Sequence, residues 1–337
     1  MKLSEYTRHW LYVKKRAEVK PGSFDALVGT FTRYVEQGIG EKELKEVTEE
    51  DVQVVVSDIQ LRLSTSVAKK VYYLLKAVFE YAYCKGDVER NPVFLVKSPS
   101  YTLKPPEDVV VLTKEEVAKL YIAVDKTYSN GRPVYYYGYA FVLMLCTGVR
   151  PCELLGFKWC DVDFENRTIS VRRNVVNFKN QTTGKFEVVV QNTLKTKKSK
   201  RTLYLNDTAI FALNKLKEYQ ITKSEYVVAG KDGSFLAPQQ LRRTFYRMLD
   251  SANIPKHNLY SLRHTFATQL FAKGISLKTI SEMLGHTSIR VTADTYVHLV
   301  QEVDESTLVL DSLFDLAQEK EEPLELPQTE KQKNIVA

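Results

Sequence analysis

The sequence predicts an α+β protein of two domains, a helical N-terminal domain and a mostly helical second domain that contains a small antiparallel sheet. Residues 1–92 show helical periodicity and helix-capping patterns but no convincing strand. Short segments typical of strands occur only between residues 167 and 205. The segment KSPSYTLKPPEDVV, at 97–110, contains a double proline and separates the two regions as a semi-rigid linker.

Four helices are predicted in the first domain. Pro21 predicts the start of a helix over 21–36, and Thr48 followed by Asp51 predicts another helix start as a variant of the capping box. The clearest helix is STSVAKKVYYLLKAVFEYAY, whose apolar residues share one face: Val67, Val71, Leu74, Leu75, Val78 and Ala82. Its opposite face carries three basic residues: Lys69, Lys70 and Lys76.

The second domain is predicted to begin near residue 111, where Thr113 and Glu116 form a capping box. Further helical patterns predict helices at 113–126, 134–147, 207–218, 238–251, 261–272 and 276–283. Three strands are predicted at 167–173, 186–190 and 201–205. Gly184 lies in the first turn between these strands, and KTKKSK lies in the second. The charged sequence at 319–337 predicts a disordered tail.

Composition restricts the functional class. The chain has 337 residues and a formal net charge of +7, which favours a polyanionic partner. Its four cysteines include no C-x-x-C pair, so we expect no metal site and no disulfide framework, and a reducing cytoplasm as the location. The longest nearly apolar run, YYYGYAFVLMLC, is too short to span a bilayer, so no membrane partner is expected.

Two arginines occupy positions that demand an explanation. Arg263 lies in LYSLRHTFATQLF, just inside the start of a helix that the pattern predicts to be buried. Because an unpaired charge at the edge of a core is costly, we expect an anion to meet it. Arg150 follows one buried helix and precedes another that Pro151 begins, and Glu153 lies three residues further on. A structural arginine–glutamate pair is the simplest alternative for Arg150.

Two other groups complete a candidate site. A basic turn between predicted strands carries Lys195, Lys197, Lys198, Lys200 and Arg201. In LGHTSIRVTADTYVHL, His286 follows a helix-ending glycine, and Tyr296 lies ten residues later. Each feature alone is most often structural, but together they describe a phosphodiester site. Guanidinium groups bind phosphate oxygens in a bidentate manner, a lysine protonates a leaving oxygen, and a tyrosine attacks phosphorus.

The sequence resembles the tyrosine recombinases, in particular the integrases of phages and integrative elements. Four motifs occur in that family's order: TGVRPCELLGFKWCDVD, LKTKKSKRTLYL, YSLRHTFATQLF and LGHTSIRVTADTYVH. The resemblance implies a catalytic set, with Tyr296 as the nucleophile and Glu153 in support: Arg150, Lys195, Tyr260, Arg263 and His286. Tyr260 departs from the family, which usually has histidine there. A phenol can donate a hydrogen bond to phosphate but is a poor base near neutral pH.

The resemblance also implies an architecture and a reaction. A SAM-like core-binding domain at 1–96 and a catalytic domain at 111–300 would form a C-shaped clamp on DNA. Strand cleavage would pass through a 3′-phosphotyrosine and exchange through a Holliday junction, without a metal or another cofactor. We expect DNA contacts from Lys69, Lys70, Lys76, Lys104, Lys197, Lys198, Lys200 and Arg201.

The implied partners are duplex attachment sites, three further copies of the chain in a tetramer on two DNA sites, and a directionality factor. Without DNA the chain is expected to be a monomer. An apolar stripe predicts a helix at 301–318 that docks on a neighbouring subunit: Leu310, Leu313, Phe314 and Ala317. Two alternatives stay open, a type IB topoisomerase-like enzyme that relaxes DNA as a monomer and a catalytically degenerate DNA-binding protein. The stripe favours the recombinase over the topoisomerase.

Overall fold

The N-terminal domain is a set of packed helices. The structure, a computed structural model, describes residues 1–100, 109–192 and 199–296. Besides a short 3-10 helix (Leu44–Glu46), it contains within residues 1–100 four helical segments, as predicted. The first segment is α1 (Leu3–His9), which continues through a π-helical turn (Trp10–Lys15) into α2 (Arg16–Glu18). The second is α3 (Pro21–Thr30), which continues into another π-helical turn (Phe31–Val35). The third and fourth are α4 (Glu49–Arg62) and α5 (Thr65–Lys85).

Local capping explains where these helices begin and end. The Thr48 side chain accepts a hydrogen bond from the Asp51 N–H at 3.2 Å, and the Asp51 carboxylate accepts one from the Thr48 N–H at 3.0 Å. This confirms the predicted start of α4. Gly86 ends α5 with a φ of +76°, a left-handed conformation that glycine adopts without strain. The predicted apolar face of α5 is buried in one core with residues of α1 and α3, and only Val67 on that face remains partly exposed.

The second domain is built around one apolar helix. Its helices are α6 (Lys114–Val124), α7 (Gly138–Thr147), α8 (Pro151–Leu155), α9 (Asp207–Glu218), α10 (Pro238–Ser251), α11 (Tyr260–Ala272), α12 (Leu277–Leu284) and α13 (Ile289–Tyr296). All residues of α7 except Cys146 are buried. Because α7 is apolar around its whole circumference, α6, α8, α9, α10 and α11 all pack against it. This arrangement fixes the end of α7, where the candidate site lies.

The strands form two small antiparallel sheets, whereas the sequence predicts one. The strands are β1 (Val162–Asp163), β2 (Thr168–Val171), β3 (Asn174–Lys179), β4 (Phe186–Gln191) and β5 (Arg201–Tyr204). The first sheet has the order β1-β2-β5, with Val171 opposite Arg201, and the second is the β3-β4 hairpin. The predicted strand at 167–173 therefore ends early, and β3 was missed. The buried residues of β3, Val175 and Phe178, are three apart, which obscures the two-residue period of a strand.

The two domains meet at the β3-β4 hairpin. The Asp25 carboxylate, on α3, accepts hydrogen bonds from the Lys179 N–H at 3.1 Å and from Gln181 Nε2 at 2.7 Å. Arg16 Nη2 donates to Thr182 Oγ1 at 2.9 Å.

Across the described residues, we find no helix with the length and apolar character needed to cross a bilayer.

Candidate functional site

Arg263 lies in the first turn of α11 and joins three helices. Its side chain is almost completely buried, with 2% of the residue exposed. Nη1 donates to the carbonyl of Gly148 at 2.8 Å, and Nη2 donates to the carbonyl of Leu284 at 2.8 Å. These carbonyls belong to the ends of α7 and α12, where backbone acceptors have no partner within the helix and the helix dipole is negative. The guanidinium is therefore buried against complementary partial charge.

Arg150 is fixed by the helix that follows it. It is the N-cap residue of α8, with Pro151 in the first position, and its backbone N–H donates to Glu153 Oε2 at 2.9 Å. Its side chain donates from Nη1 to Glu153 Oε1 at 2.8 Å and from Nη2 to the carbonyl of Gly285 at 3.3 Å. The side chain keeps 26% of its surface exposed, so this guanidinium is accessible to a ligand.

A third arginine shares the same carboxylate. Arg201, the first residue of β5, donates from Nη2 to Glu153 Oε2 at 2.9 Å and from Nη1 to Glu153 Oε1 at 3.2 Å. Burial alone would raise the pKa of Glu153, but the hydrogen bonds and charge of Arg201, with the charge of Arg150, outweigh burial and lower it. Glu153 is therefore ionised at neutral pH. Arg150, Arg201 and Arg263 together exceed its charge by two.

His286 follows the left-handed residue Gly285, which ends α12 at a φ of +65°. Its Nδ1 lies 2.8 Å from Oγ1 of Thr292, which is fully buried on α13. Burial, followed by the charges of Arg263 and Arg150, lowers the pKa of His286 to about 4. His286 is therefore neutral at physiological pH in the free protein. The sequence analysis did not identify Thr292. The signal that could have pointed to it is its position six residues after His286 in the same motif.

The backbone of α13 brings Tyr296 into the same region. Tyr296 is the last residue of α13, about one helical turn after Thr292 along the backbone. The hydrogen bond between Thr292 and His286 therefore ties the helix that carries Tyr296 to the end of α12.

Tyr260 occupies the first position of α11, one turn before Arg263, and its side chain is half exposed. Burial raises the pKa of its phenol, and Cys152 acts in the same direction, against the opposing charges of Arg150 and Arg263. The phenol is therefore protonated at neutral pH and can donate a hydrogen bond. This is consistent with a contact to a phosphate oxygen but not with a general base.

Two glycines allow the arginines to approach the helix ends. Gly148 has a φ of +62°, and a Cβ there would lie 2.3 Å from Cδ1 of Phe266. A Cβ at Gly285 would lie 2.8 Å from Nη1 of Arg201. Both positions thus combine a left-handed backbone with little space for a side chain, which would displace the Phe266 ring at Gly148 and the Arg201 guanidinium at Gly285. They hold the two carbonyl-bearing helix ends next to the arginines.

The predicted DNA-binding lysines have different placements. A cleft of about 720 Å³ between β5 and the α12–α13 turn is lined by exposed Lys200 and Lys278 together with His286. Sequence reasoning did not identify Lys278. On α5, Lys69 and Lys70 are exposed, and Lys76 lies 3.9 Å from Glu80 Oε1. Four predicted residues lie outside the described residues: Lys104, Lys195, Lys197 and Lys198.

Replacing Tyr260 tests the expectation, implied by the family resemblance, that its phenol donates a hydrogen bond to a DNA phosphate. We expect Tyr260→Phe to lose only part of its DNA cleavage rate and to keep the shape of the wild-type pH–rate profile between pH 6 and 9. Tyr260→His is expected to retain substantial cleavage, because imidazole can also donate to a phosphate oxygen. Single-turnover cleavage across pH provides the measurement. A profile displaced by several pH units in Tyr260→His, with Tyr260→Phe inactive, would indicate that this position titrates during the reaction.

The neutral state of His286 predicts acid sensitivity. The folded protein disfavours the imidazolium, so stability is greatest above the ordinary histidine pKa of about 6.5 and falls as the pH drops towards 4. We expect His286→Asn to lose less stability than wild type between pH 7 and 5, by an amount on the order of 1 kcal/mol after allowing for solvent screening. Urea unfolding at both pH values measures the difference. Equal losses in the two proteins would contradict the assigned protonation state.

Comparison with known proteins places this chain in a family. The model for the phage integrase family matches residues 110–302, more than half of the chain, and the model for the phage integrase central domain matches residues 3–98. A tyrosine recombinase XerC-like protein of Caldanaerobacter subterraneus subsp. tengcongensis is 26% identical over 336 residues, covering 93% of this chain and 83% of that protein. The integrase of Staphylococcus phage L54a is 30% identical over 169 residues, covering 47% of this chain and 46% of that protein.

Solved structures share the fold. The Tn1549 transposon integrase in complex with a circular intermediate DNA superposes with a TM-score of 0.73 at 20% identity, covering 93% of this chain and 99% of that chain. A lambda integrase dimer bound to a core site gives a TM-score of 0.64 at 19% identity, covering 90% of this chain and 98% of that chain. This chain therefore belongs to the phage integrase family of tyrosine recombinases, enzymes that cleave and rejoin DNA.

Proposed function

We propose that this protein recombines duplex DNA at specific attachment sites, integrating or excising a mobile element. The observation that carries the proposal is the convergence of three arginines on Glu153 and two helix ends, beside His286 and the end of α13. Such a cluster can stabilise the negative charge that develops when a phosphodiester is attacked. The cleft at the α12–α13 turn, with its two exposed lysines, supports a DNA backbone as the ligand.

In the proposed reaction the Tyr296 phenol gives up its proton to solvent, and its oxygen forms a bond to the scissile phosphorus. The bond from phosphorus to the 5′ oxygen breaks, and that oxygen takes a proton, which we assign to Lys195. The product is a 3′-phosphotyrosine and a free 5′-hydroxyl. The 5′-hydroxyl of a partner strand then attacks the phosphotyrosine and passes its proton back to Lys195, while Tyr296 leaves and takes a proton from solvent, so that the number of phosphodiester bonds is unchanged.

The described residues support distinct roles in these steps. Arg150, which is partly exposed, is assigned to the non-bridging phosphate oxygens. Arg263, which is buried against two helix-end carbonyls, is assigned to stabilising the negative charge that develops on the phosphate. Tyr260 is assigned to a neighbouring phosphate oxygen as a neutral donor. His286 is neutral before DNA binds and is held by Thr292, so it can exchange a hydrogen bond with a phosphate oxygen without carrying a fixed charge.

We further propose that four copies act on two DNA sites in the cytoplasm, through a Holliday junction and with a directionality factor choosing between integration and excision. One solved structure with this fold is a lambda integrase tetramer bound to a Holliday junction, which supports the proposed assembly. The apolar stripe at Leu310, Leu313, Phe314 and Ala317 is proposed to dock on a neighbouring subunit. It lies outside the described residues.

Assays of strand joining, plasmid relaxation and binding, all on the same selected sites, separate this function from its alternatives. Binding sites are first selected from a random pool of duplexes, and each selected duplex is then nicked near its centre so that a cleaved end is lost. Recombination predicts a protein–DNA adduct that resists denaturation and strand joining between two duplexes. Relaxation of supercoiled plasmid without joining would instead support a topoisomerase. Binding with neither reaction would support a degenerate DNA-binding protein.

A further inference from the structure

Arg201 is committed to protein partners, although the sequence groups it with the DNA-binding basic turn. Only 8% of its side chain is exposed. Besides the two bonds to Glu153, its Nε donates to the carbonyl of Met283 at 2.6 Å, and its Nη1 lies 3.2 Å from the carbonyl of Ser199. All three guanidinium nitrogens therefore have protein acceptors. The preceding residue, Lys200, is by contrast exposed to solvent.

We propose that Arg201 is a positioning residue, which orients Arg150 through Glu153 and ties strand β5 to the end of α12 next to His286. The proposal rests on the proposed function, because Arg150 and His286 matter only if this site cleaves DNA. Glu153 is bound from two sides, by Arg150 at 2.8 Å and by Arg201 at 2.9 Å. Arg201 therefore holds both oxygens of the carboxylate that binds Arg150.

The charge balance gives the same role a second basis. One carboxylate facing two guanidinium groups leaves a net charge of +1 in this triad. Without Arg201, Glu153 would pair with Arg150 alone and neutralise it, so less positive potential would reach a bound phosphate. Arg201 thus lets Glu153 hold Arg150 in place without cancelling its charge.

The connection to α12 gives Arg201 a further effect. Met283 is in the last turn of α12, and Gly285 is so close that a Cβ there would lie 2.8 Å from Nη1. The same short segment continues into His286. Arg201 is also the first residue of β5, so its bond to the Met283 carbonyl limits the movement of β5 relative to the end of α12.

Comparing Arg201→Met with Lys200→Met distinguishes positioning from DNA contact. We expect Arg201→Met to bind DNA with nearly wild-type affinity and an unchanged salt dependence, but to cleave saturating DNA about 10²-fold more slowly in single turnover. Lys200→Met is expected to weaken binding and to reduce the slope of log affinity against log salt by about one. If Arg201→Met lowers that slope and cleaves bound DNA at the wild-type rate, Arg201 is a DNA contact and the proposal is wrong.

Two more variants keep the test decisive. Arg201→Lys keeps the charge but lacks the planar guanidinium that binds both oxygens of Glu153 and the Met283 carbonyl at once, so its rate should lie between those of Arg201→Met and wild type. In a Glu153→Gln background, Arg201→Met should cost much less than in wild type, because the carboxylate it acts through is gone. Equal costs in both backgrounds would overturn the proposal.

If Arg201→Met does not fold, the cleavage rate of Arg201→Lys decides, and a rate equal to that of wild type refutes the positioning role. Failure of wild type to form any adduct would refute the proposed function instead.

Discussion

Tyr296→Phe is expected to abolish covalent attachment of the protein to DNA. The substitution removes only the phenol oxygen, the atom proposed to bond to phosphorus, and no other nucleophile is assigned to the reaction. Binding of the duplex should stay close to wild type, because the aromatic ring is retained. A denaturing gel with a nicked, labelled duplex measures the adduct, and a gel-shift titration measures binding.

Tyr128→Phe provides the matched control. Tyr128 is exposed in the loop before α7, so loss of its hydroxyl should leave the adduct yield unchanged. An adduct formed by Tyr296→Phe at the yield of Tyr128→Phe would show that another residue attacks the phosphate.

Arg150→Lys is expected to cleave DNA about 10²–10³-fold more slowly than wild type, as is typical when a donor to developing charge is lost. Lysine keeps the positive charge but cannot donate at once to Glu153, to the carbonyl of Gly285 and to a phosphate oxygen. The loss should appear in the single-turnover rate at saturating DNA, with a small change in affinity.

Arg132→Lys is the control for this substitution, since Arg132 is exposed in a loop and keeps its charge as lysine. Its cleavage rate should equal that of wild type. If Arg150→Lys cleaves within a few-fold of Arg132→Lys, the planar guanidinium of Arg150 is not required for cleavage.

Much of the helical framework was predictable because its signals are local. The capping pairs Thr48–Asp51 and Thr113–Glu116 lie three residues apart, and both form as hydrogen-bonded boxes. The helices at 207–218 and 238–251 begin and end where the sequence predicts. β3 was missed because its pairing with β4 determines its structure, and pairing between strands leaves little trace in a six-residue pattern.

The candidate site shows the same division between local and distant signals. Arg150 and Glu153 are three residues apart, and their ion pair was visible in the sequence. Arg201 contacts Glu153 across 48 residues, and only the fold reveals that partnership. Sequence reasoning grouped Arg201 with the lysines beside it, whereas its burial depends on β2 pairing and on the end of α12.

The central claim is that Tyr296 becomes covalently linked to DNA, and the direct measurement is the mass of the attached peptide. Wild-type protein would be trapped on a nicked duplex, digested with protease and nuclease, and analysed by tandem mass spectrometry. We predict a nucleotide adduct on the phenol oxygen of Tyr296, with the phosphate derived from the 3′ side of the break. An adduct on any other residue, or a phosphate derived from the 5′ side, would contradict this account.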